Sequence, residues 1–128
     1  MADQERENTV LLVDDDRPIR EGLRRFFDGT SYRVAGEAAD GMAAVALCRK
    51  LRPDLVLLDV KMPLLNGIDA ARLIREERSA RCIVMLTSFD DQSCVEQALA
   101  AGAAGYLTKP LRAEDILPTL ELCLSHTK

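Results

Sequence analysis

Four apolar runs in the sequence end in residues that could do chemistry together. Thr9-Val-Leu-Leu-Val13 runs into three acids, Asp14, Asp15 and Asp16, and Leu55-Val-Leu-Leu58 runs into Asp59. Arg81-Cys-Ile-Val-Met-Leu-Thr87 ends on a hydroxyl pair, Thr87-Ser88, and Ala104-Gly-Tyr-Leu-Thr108 ends at Lys109-Pro110. A buried carboxylate needs a partner, so Asp59 belongs at the rim where its strand leaves the interior. If these ends share one rim, three carboxylates repel one another unless a cation intervenes. Hard oxygen donors completed by water suit Mg2+, which keeps several waters and takes one or two carboxylates plus a phosphate. With the ion in place, Asp59 can attack phosphorus and form an acyl phosphate. Lys109 would balance charge on the phosphoryl oxygens and Thr87 would donate a hydrogen bond to one of them. Taken singly, each residue has an ordinary explanation: a strand-exit acid, a strand threonine, a solvated lysine beside a turn. Asp16 fits best as a helix N-cap.

The elements that must position these groups can be read from periodicity. The runs are too short for helices and are bounded by Pro, Gly and polar residues, which marks them as buried strands. Tyr32-Arg-Val-Ala-Gly36 is a further short strand. Between the strands lie helical patterns. The first carries Ile19, Leu23, Phe26 and Phe27, with Pro18 in its first turn and Asp28-Gly29 closing it. The second opens at Asp40-Gly41 and runs to about Leu51. The third spans roughly Leu65 to Glu77, with Ile68, Ala71 (or Arg72), Ile74 and Arg75 along it. The fourth, capped by Asp90 or Asp91, carries Val95, Ala98 and Leu99 and stops at Gly102. The last spans Ala113 to about Ser125, with Ile116, Leu117, Leu120 and Leu124 facing inward and Pro118 in its early turns. Strands alternating with helices imply crossover connections and a parallel sheet covered on both faces, a doubly wound α/β domain. The carboxyl ends of such strands lie on one rim, so the acids, Thr87 and Lys109 converge although far apart in sequence.

Composition bounds the function. The chain has 128 residues, the size of one domain, with a net charge of −4 that argues against a nucleic-acid surface. Two Tyr, three Phe and no Trp leave little for a base-stacking platform. Cys48, Cys82, Cys94 and Cys123 are scattered singly with His126 as the lone histidine, which does not make a zinc site. Buried free thiols in a reducing cytosol are expected. No apolar stretch reaches membrane-span length, and the polar start is no signal peptide but a disordered lead-in over residues 1–8, before a domain over 9–126.

From Thr9 to His126 the chain resembles the receiver domain of two-component response regulators. The matching pieces are VDDD at Val13 to Asp16, LLDVKMPLLNG at Leu57 to Gly67, MLTS at Met85 to Ser88 and GYLTKP at Gly105 to Pro110, in order and each on a strand end. The resemblance implies a flavodoxin-like (βα)5 three-layer sandwich with strand order 2-1-3-4-5. It implies Asp59 as phosphoacceptor, Asp15 as a direct Mg2+ ligand, Asp14 holding a metal-bound water, and the main-chain carbonyl of Lys61 as a further ligand. Thr87 would hydrogen-bond the phosphoryl group, Lys109 would pair with it, and Tyr106 would be the aromatic switch that turns inward when Thr87 moves. Lys109-Pro110 would be a cis bond. Lys61 places a long cation at the mouth of the site, and Phe89 would shield the acyl phosphate from water.

The resemblance also implies a sensor histidine kinase as phosphodonor, and an output module outside this chain. GIDAA at Gly67 to Ala71 and AEDILPTLELCLSH at Ala113 to His126 resemble receivers that precede ANTAR RNA-binding antitermination modules. GLRRFF and SFDD resemble those attached to helix-turn-helix DNA-binding modules, and the first likeness is the stronger. Direct nucleic-acid binding by this chain is not expected. Partner surfaces, including a phosphorylation-driven homodimer, would lie on the fourth helix, fifth strand and fifth helix, with Val95, Leu99, Tyr106 and Arg112 as candidates. The rival from another class is a haloacid-dehalogenase-like phosphatase with Asp14 as nucleophile and Asp16 as acid. It lacks the small residue expected after Asp16, where Arg17-Pro18 follows, and a later acidic pair.

Overall fold

The computed structural model describes residues 8–62, 64–88 and 92–126. Among them, five parallel strands, β1 (Asn8–Val13), β2 (Tyr32–Ala38), β3 (Leu55–Asp59), β4 (Cys82–Ser88) and β5 (Gly105–Lys109), form one sheet ordered β2-β1-β3-β4-β5. Helices α1 (Arg17–Phe27), α2 (Gly41–Leu51), α3 (Gly67–Glu77), α4 (Gln92–Ala100) and α5 (Ala113–Ser125) alternate with them. This is the doubly wound, flavodoxin-like sandwich. Because strand side chains alternate, β1 sends Leu11 and Val13 into one core with α2, α3 and α4, and Val10 and Leu12 into the other with α1 and α5. Leu55, Val56, Leu57 and Leu58 of β3 are all inaccessible, as a central strand covered on both faces requires. Each such leucine contributes about 1.5–3 kcal/mol of burial, and together they fix the register that delivers Asp59 to the rim.

Helix entry is set by local chemistry. Asp40 accepts the Ala43 N–H at 2.8 Å and Asn66 accepts the Asp69 N–H at 2.9 Å, each satisfying an otherwise orphaned donor. Asp40→Ala is expected to lower stability by about 1 kcal/mol, read as a lower urea midpoint with an unchanged slope.

The structure departs from the sequence-based expectations in places with physical causes. Asn8, expected to end the lead-in, is the first residue of β1. β2 continues two residues beyond Gly36, because Glu37 is held on this edge strand by Arg20 (2.9 Å) and Arg24 (2.6 Å). Burial alone would raise the Glu37 pKa, but the hydrogen bonds and charges of the two arginines outweigh it and lower it. α3 begins at Gly67 rather than Leu65, since Leu64 is in the left-handed region (φ 71) and Asn66 takes the cap position. Its buried stripe is Gly67, Ala70, Ala71 and Ile74, with Arg75 turned outward. On α4, Val95 and Ala98 of the apolar stripe are buried while Leu99, also a partner-surface candidate, is 46% exposed. Asp16 occupies the N-cap position of α1 but its side chain makes no cap hydrogen bond. The expected cap of α4 (Asp90 or Asp91), Phe89 and Pro63 lie outside the described residues. Among the described residues none of the four cysteines is in a disulfide; Cys48, Cys82 and Cys123 are buried, and Cys94 is partly so. Among the described residues, no helix is long and apolar enough to cross a membrane.

Candidate functional site

The rim at the carboxyl ends of β1, β3, β4 and β5 gathers the polar residues that their sequences placed there. Asp14, Asp59 and Thr87 are buried while Asp15 is exposed, and carboxylate oxygens of Asp14, Asp15 and Asp59 lie within 4.8 Å of one another. Lys109 extends from the end of β5 to place Nζ 2.8 Å from Asp14 Oδ2 and 3.3 Å from Asp59 Oδ1. Asp16 lies outside this carboxylate group, and its backbone N–H donates to Asp14 Oδ1 at 2.9 Å. So the third acid of the run serves through its main chain, orienting the first.

Electrostatics follow from this crowding. Burial first, then the charge of Asp14, pushes the Asp59 carboxyl up to about 6, with Lys109 offsetting part of the effect. Burial alone would lower the Lys109 pKa, but its contacts with Asp14 and Asp59 prevail and raise it. A divalent cation fits this donor set: three hard carboxylates on one open rim, one of them exposed, with the Lys109 ammonium set against Asp14 and Asp59. Among the described residues Thr87 Oγ1 is buried with no hydrogen-bond partner, a penalty of about 1–3 kcal/mol that a bound acceptor would relieve.

Two residues that hold the site were not singled out from the sequence. Arg20 on α1 donates Nη1 to the Asp14 carbonyl at 2.6 Å while its Nε bonds Glu37, so it ties the acidic loop to the edge strand. The available signal was its position one helical turn after Asp16, on the face nearest the acids. Gly67 donates its N–H to the Val60 carbonyl at 2.7 Å, and a Cβ there would stand 1.9 Å from the Asp59 carbonyl oxygen. The start of α3 therefore lies directly on the backbone of Asp59. Tyr106 on β5 is 42% exposed, and Lys109-Pro110 is cis, as the resemblance implied. Lys61 is exposed beyond the end of β3.

Residues 10–121 match the response regulator receiver domain family. The chain belongs to that family. It is 45% identical over 116 residues to the transcriptional regulatory protein PdtaR of Mycobacterium tuberculosis, a match covering 91% of this chain and 56% of PdtaR. The chain thus spans about half the length of that curated relative. By contrast, Protein CcdB of Bacillus subtilis is 38% identical and is covered over 98% of its length, with 91% of this chain. Among solved structures, the signal receiver domain of the response regulator NarL from Mycobacterium tuberculosis superposes with a TM-score of 0.86 at 34% identity, covering 94% of this chain and 98% of that one. The chemotaxis response regulator CheY4 of Vibrio cholerae gives 0.83 at 33%, covering 91% and 98%. This receiver domain therefore belongs to two-component signalling. The phosphatase alternative finds no support: its expected acid, Asp16, stands outside the carboxylate group, and Asp14 is ion-paired to Lys109.

Proposed function

We propose that Asp59 is the phosphoacceptor of this receiver and that a sensor histidine kinase donates the phosphoryl group. The observation that carries the reading is the convergence of Asp14, Asp15, Asp59 and Lys109 beside a buried, unpartnered Thr87 hydroxyl. Asp14, Asp15, Asp59 and the Lys61 main-chain carbonyl would hold Mg2+. Bound there, the ion supplies the positive charge that lets crowded carboxylates stay ionised beside an incoming phosphate. A carboxylate oxygen of Asp59 attacks phosphorus as the bond to the kinase imidazole breaks, giving an acyl phosphate. The Lys109 ammonium exchanges a carboxylate partner for a phosphoryl oxygen, and Thr87 donates its hydroxyl hydrogen to another. Movement of Thr87 toward the phosphate vacates room for Tyr106 to turn inward from its half-exposed position, altering the face formed by α4, β5 and α5. That face carries exposed Leu99, Tyr106 and Arg112, suited to a phosphorylation-dependent partner or second copy; Val95 is buried and drops out. The buried thiols of Cys48, Cys82 and Cys123 fit a reducing cytosol.

For output, we infer transcriptional control through a module outside this chain, of the RNA-binding antitermination kind. The likeness to PdtaR, itself named a transcriptional regulatory protein, supports this, as do the GIDAA and AEDILPTLELCLSH segments. The test is intact mass after incubation with acetyl phosphate. A single phosphoryl adduct is expected with Mg2+ and none with EDTA, and mapping places it on Asp59. An adduct mapped to Asp14 would restore the phosphatase reading, and no adduct under any condition would make the domain a binding module.

A further inference from the structure

At the opposite rim of the sheet, where β3, β4 and β5 begin, the structure holds a second, differently charged feature. A cavity of about 880 Å³ opens between the carboxyl-terminal ends of α2, α3 and α4, within the size range of small-molecule sites. Arg52, Arg75, Arg78 and Arg81 line it against one carboxylate, Asp54, in a chain whose net charge is −4. The ordinary explanation is that basic residues at helix ends hydrogen-bond the last carbonyls. Arg52 does this, donating Nη1 to the Arg78 carbonyl at 2.9 Å. Among the described residues the side chains of Arg75, Arg78 and Arg81 make no such bond and no ion pair. Several other arginines of this chain are matched with acids, as in Arg17–Glu21, Arg20–Glu37, Arg49–Glu77 and Arg112–Glu114.

Two further observations point to a ligand. The Ser79 hydroxyl lines the cavity, is almost wholly buried, and has no hydrogen-bond partner among the described residues. Gly102 (φ 113) lies under Arg75, where a Cβ would come within 2.9 Å of the arginine Cγ, so the missing side chain sets the course of the Arg75 stem. Asp54 does not neutralise the cluster by itself, since it brings one negative charge against the four guanidinium groups of Arg52, Arg75, Arg78 and Arg81. Guanidinium forks match phosphate oxygens bidentately, and several converging forks favour adjacent phosphates over a single one. Half-exposed Leu99 adds an apolar wall.

We propose that this cavity binds an oligophosphate, the run of adjacent phosphates carried by nucleoside di- and triphosphates and by inorganic polyphosphate. The inference does not depend on the phosphoacceptor site. Its test is an amide-shift titration of the full chain with tripolyphosphate and, separately, ATP, both in magnesium-free buffer. Saturable shifts are expected at Arg81, Gly102 and Ala104 and not at Asp59 or Thr87, with Kd on the order of 0.1 mM. Arg78→Gln with Arg81→Gln should weaken binding about 100-fold, and Ser79→Ala about threefold, with the remaining spectrum unchanged. Tighter binding of ATP than of tripolyphosphate assigns the site to nucleotides through the Leu99 wall, and equal or weaker binding assigns it to polyphosphate. The proposal is overturned by no saturable shift up to about 10 mM, by shifts centred on Lys109, or by undiminished binding in the arginine variant. Binding of a single-stranded RNA oligonucleotide at these residues without tripolyphosphate binding would overturn it equally.

Discussion

Asp59→Asn protein should take up no phosphoryl group from acetyl phosphate and, without metal, should be more stable at neutral pH than the wild type. The first effect is total, since the amide oxygen is no nucleophile toward phosphorus at this site. The second follows from linkage. The Asp59 carboxyl titrates at about 6 in the fold against an ordinary 3.8, so between those values the folded state holds a proton that the unfolded state has shed. Stability from this group is therefore complete below about pH 4 and is lost as pH rises through 6; a shift of about two units corresponds to about 3 kcal/mol. Asparagine, neutral throughout, escapes that loss, although Lys109 gives up part of its pairing, so a net gain of about 1–3 kcal/mol is expected at pH 7.5. Urea unfolding of both proteins in EDTA at pH 4.5 and 7.5 measures it. The quantity to compare is the difference between them, because other carboxylates such as Glu37 and Glu77, whose pKa values are lowered, lose stability toward acid and cancel in the subtraction. A difference that does not change with pH would mean that the fold does not strain the Asp59 carboxylate. Adding Mg2+ should reverse the ranking, stabilising the wild type and leaving Asp59→Asn nearly unmoved.

That the site and most of the fold were legible in the sequence has a specific cause. In a parallel sheet covered on both faces the strands are continuous apolar runs, so the residue where polarity returns marks the rim, and Asp14, Asp59, Thr87 and Lys109 are all such residues. Where polarity does not coincide with geometry, the sequence misleads. Glu37 looks like a loop acid and is a strand residue because two arginines from α1 hold it there. Leu99 shares an apolar stripe with Val95 and Ala98 and yet is on the surface, since a nine-residue helix buries only a narrow stripe. The arginines of the amino-terminal rim are invisible as a group, because Arg52, Arg75 and Arg78 sit where helices end and have a local reason to be basic, while Arg81 reads as the start of a strand. Only the sheet, which brings the ends of α2 and α3 beside the starts of β3, β4 and β5, makes them neighbours.

Gly67 presents the same gap between sequence and geometry, and substitution should expose it. In sequence, Asn66-Gly67 is turn punctuation before a helix. In the fold, Gly67 is the first residue of α3, where alanine would ordinarily improve helix propensity by about 1 kcal/mol. Here the added Cβ would lie 1.9 Å from the Asp59 carbonyl oxygen and 2.8 Å from the Val60 Cα, both backbone atoms at the end of a central strand. Neither can move without shifting Asp59 or breaking the 2.7 Å bond from the Gly67 N–H to the Val60 carbonyl. Gly67→Ala is therefore expected to destabilise by about 3 kcal/mol or more, overpacking against backbone outweighing propensity. Gly22 supplies the opposite sign. It lies within α1 with nothing inside 4 Å of an added Cβ, so Gly22→Ala should stabilise by about 0.5–1 kcal/mol. Urea midpoints of the two variants should move in opposite directions, and only Gly67→Ala should also slow uptake of phosphate from acetyl phosphate. Equal shifts would mean that α3 can retreat from Asp59 freely. Opposed shifts would show that the helix start and Asp59 are one mechanical unit, so that any change in the position of α3 is felt at the Asp59 carboxylate.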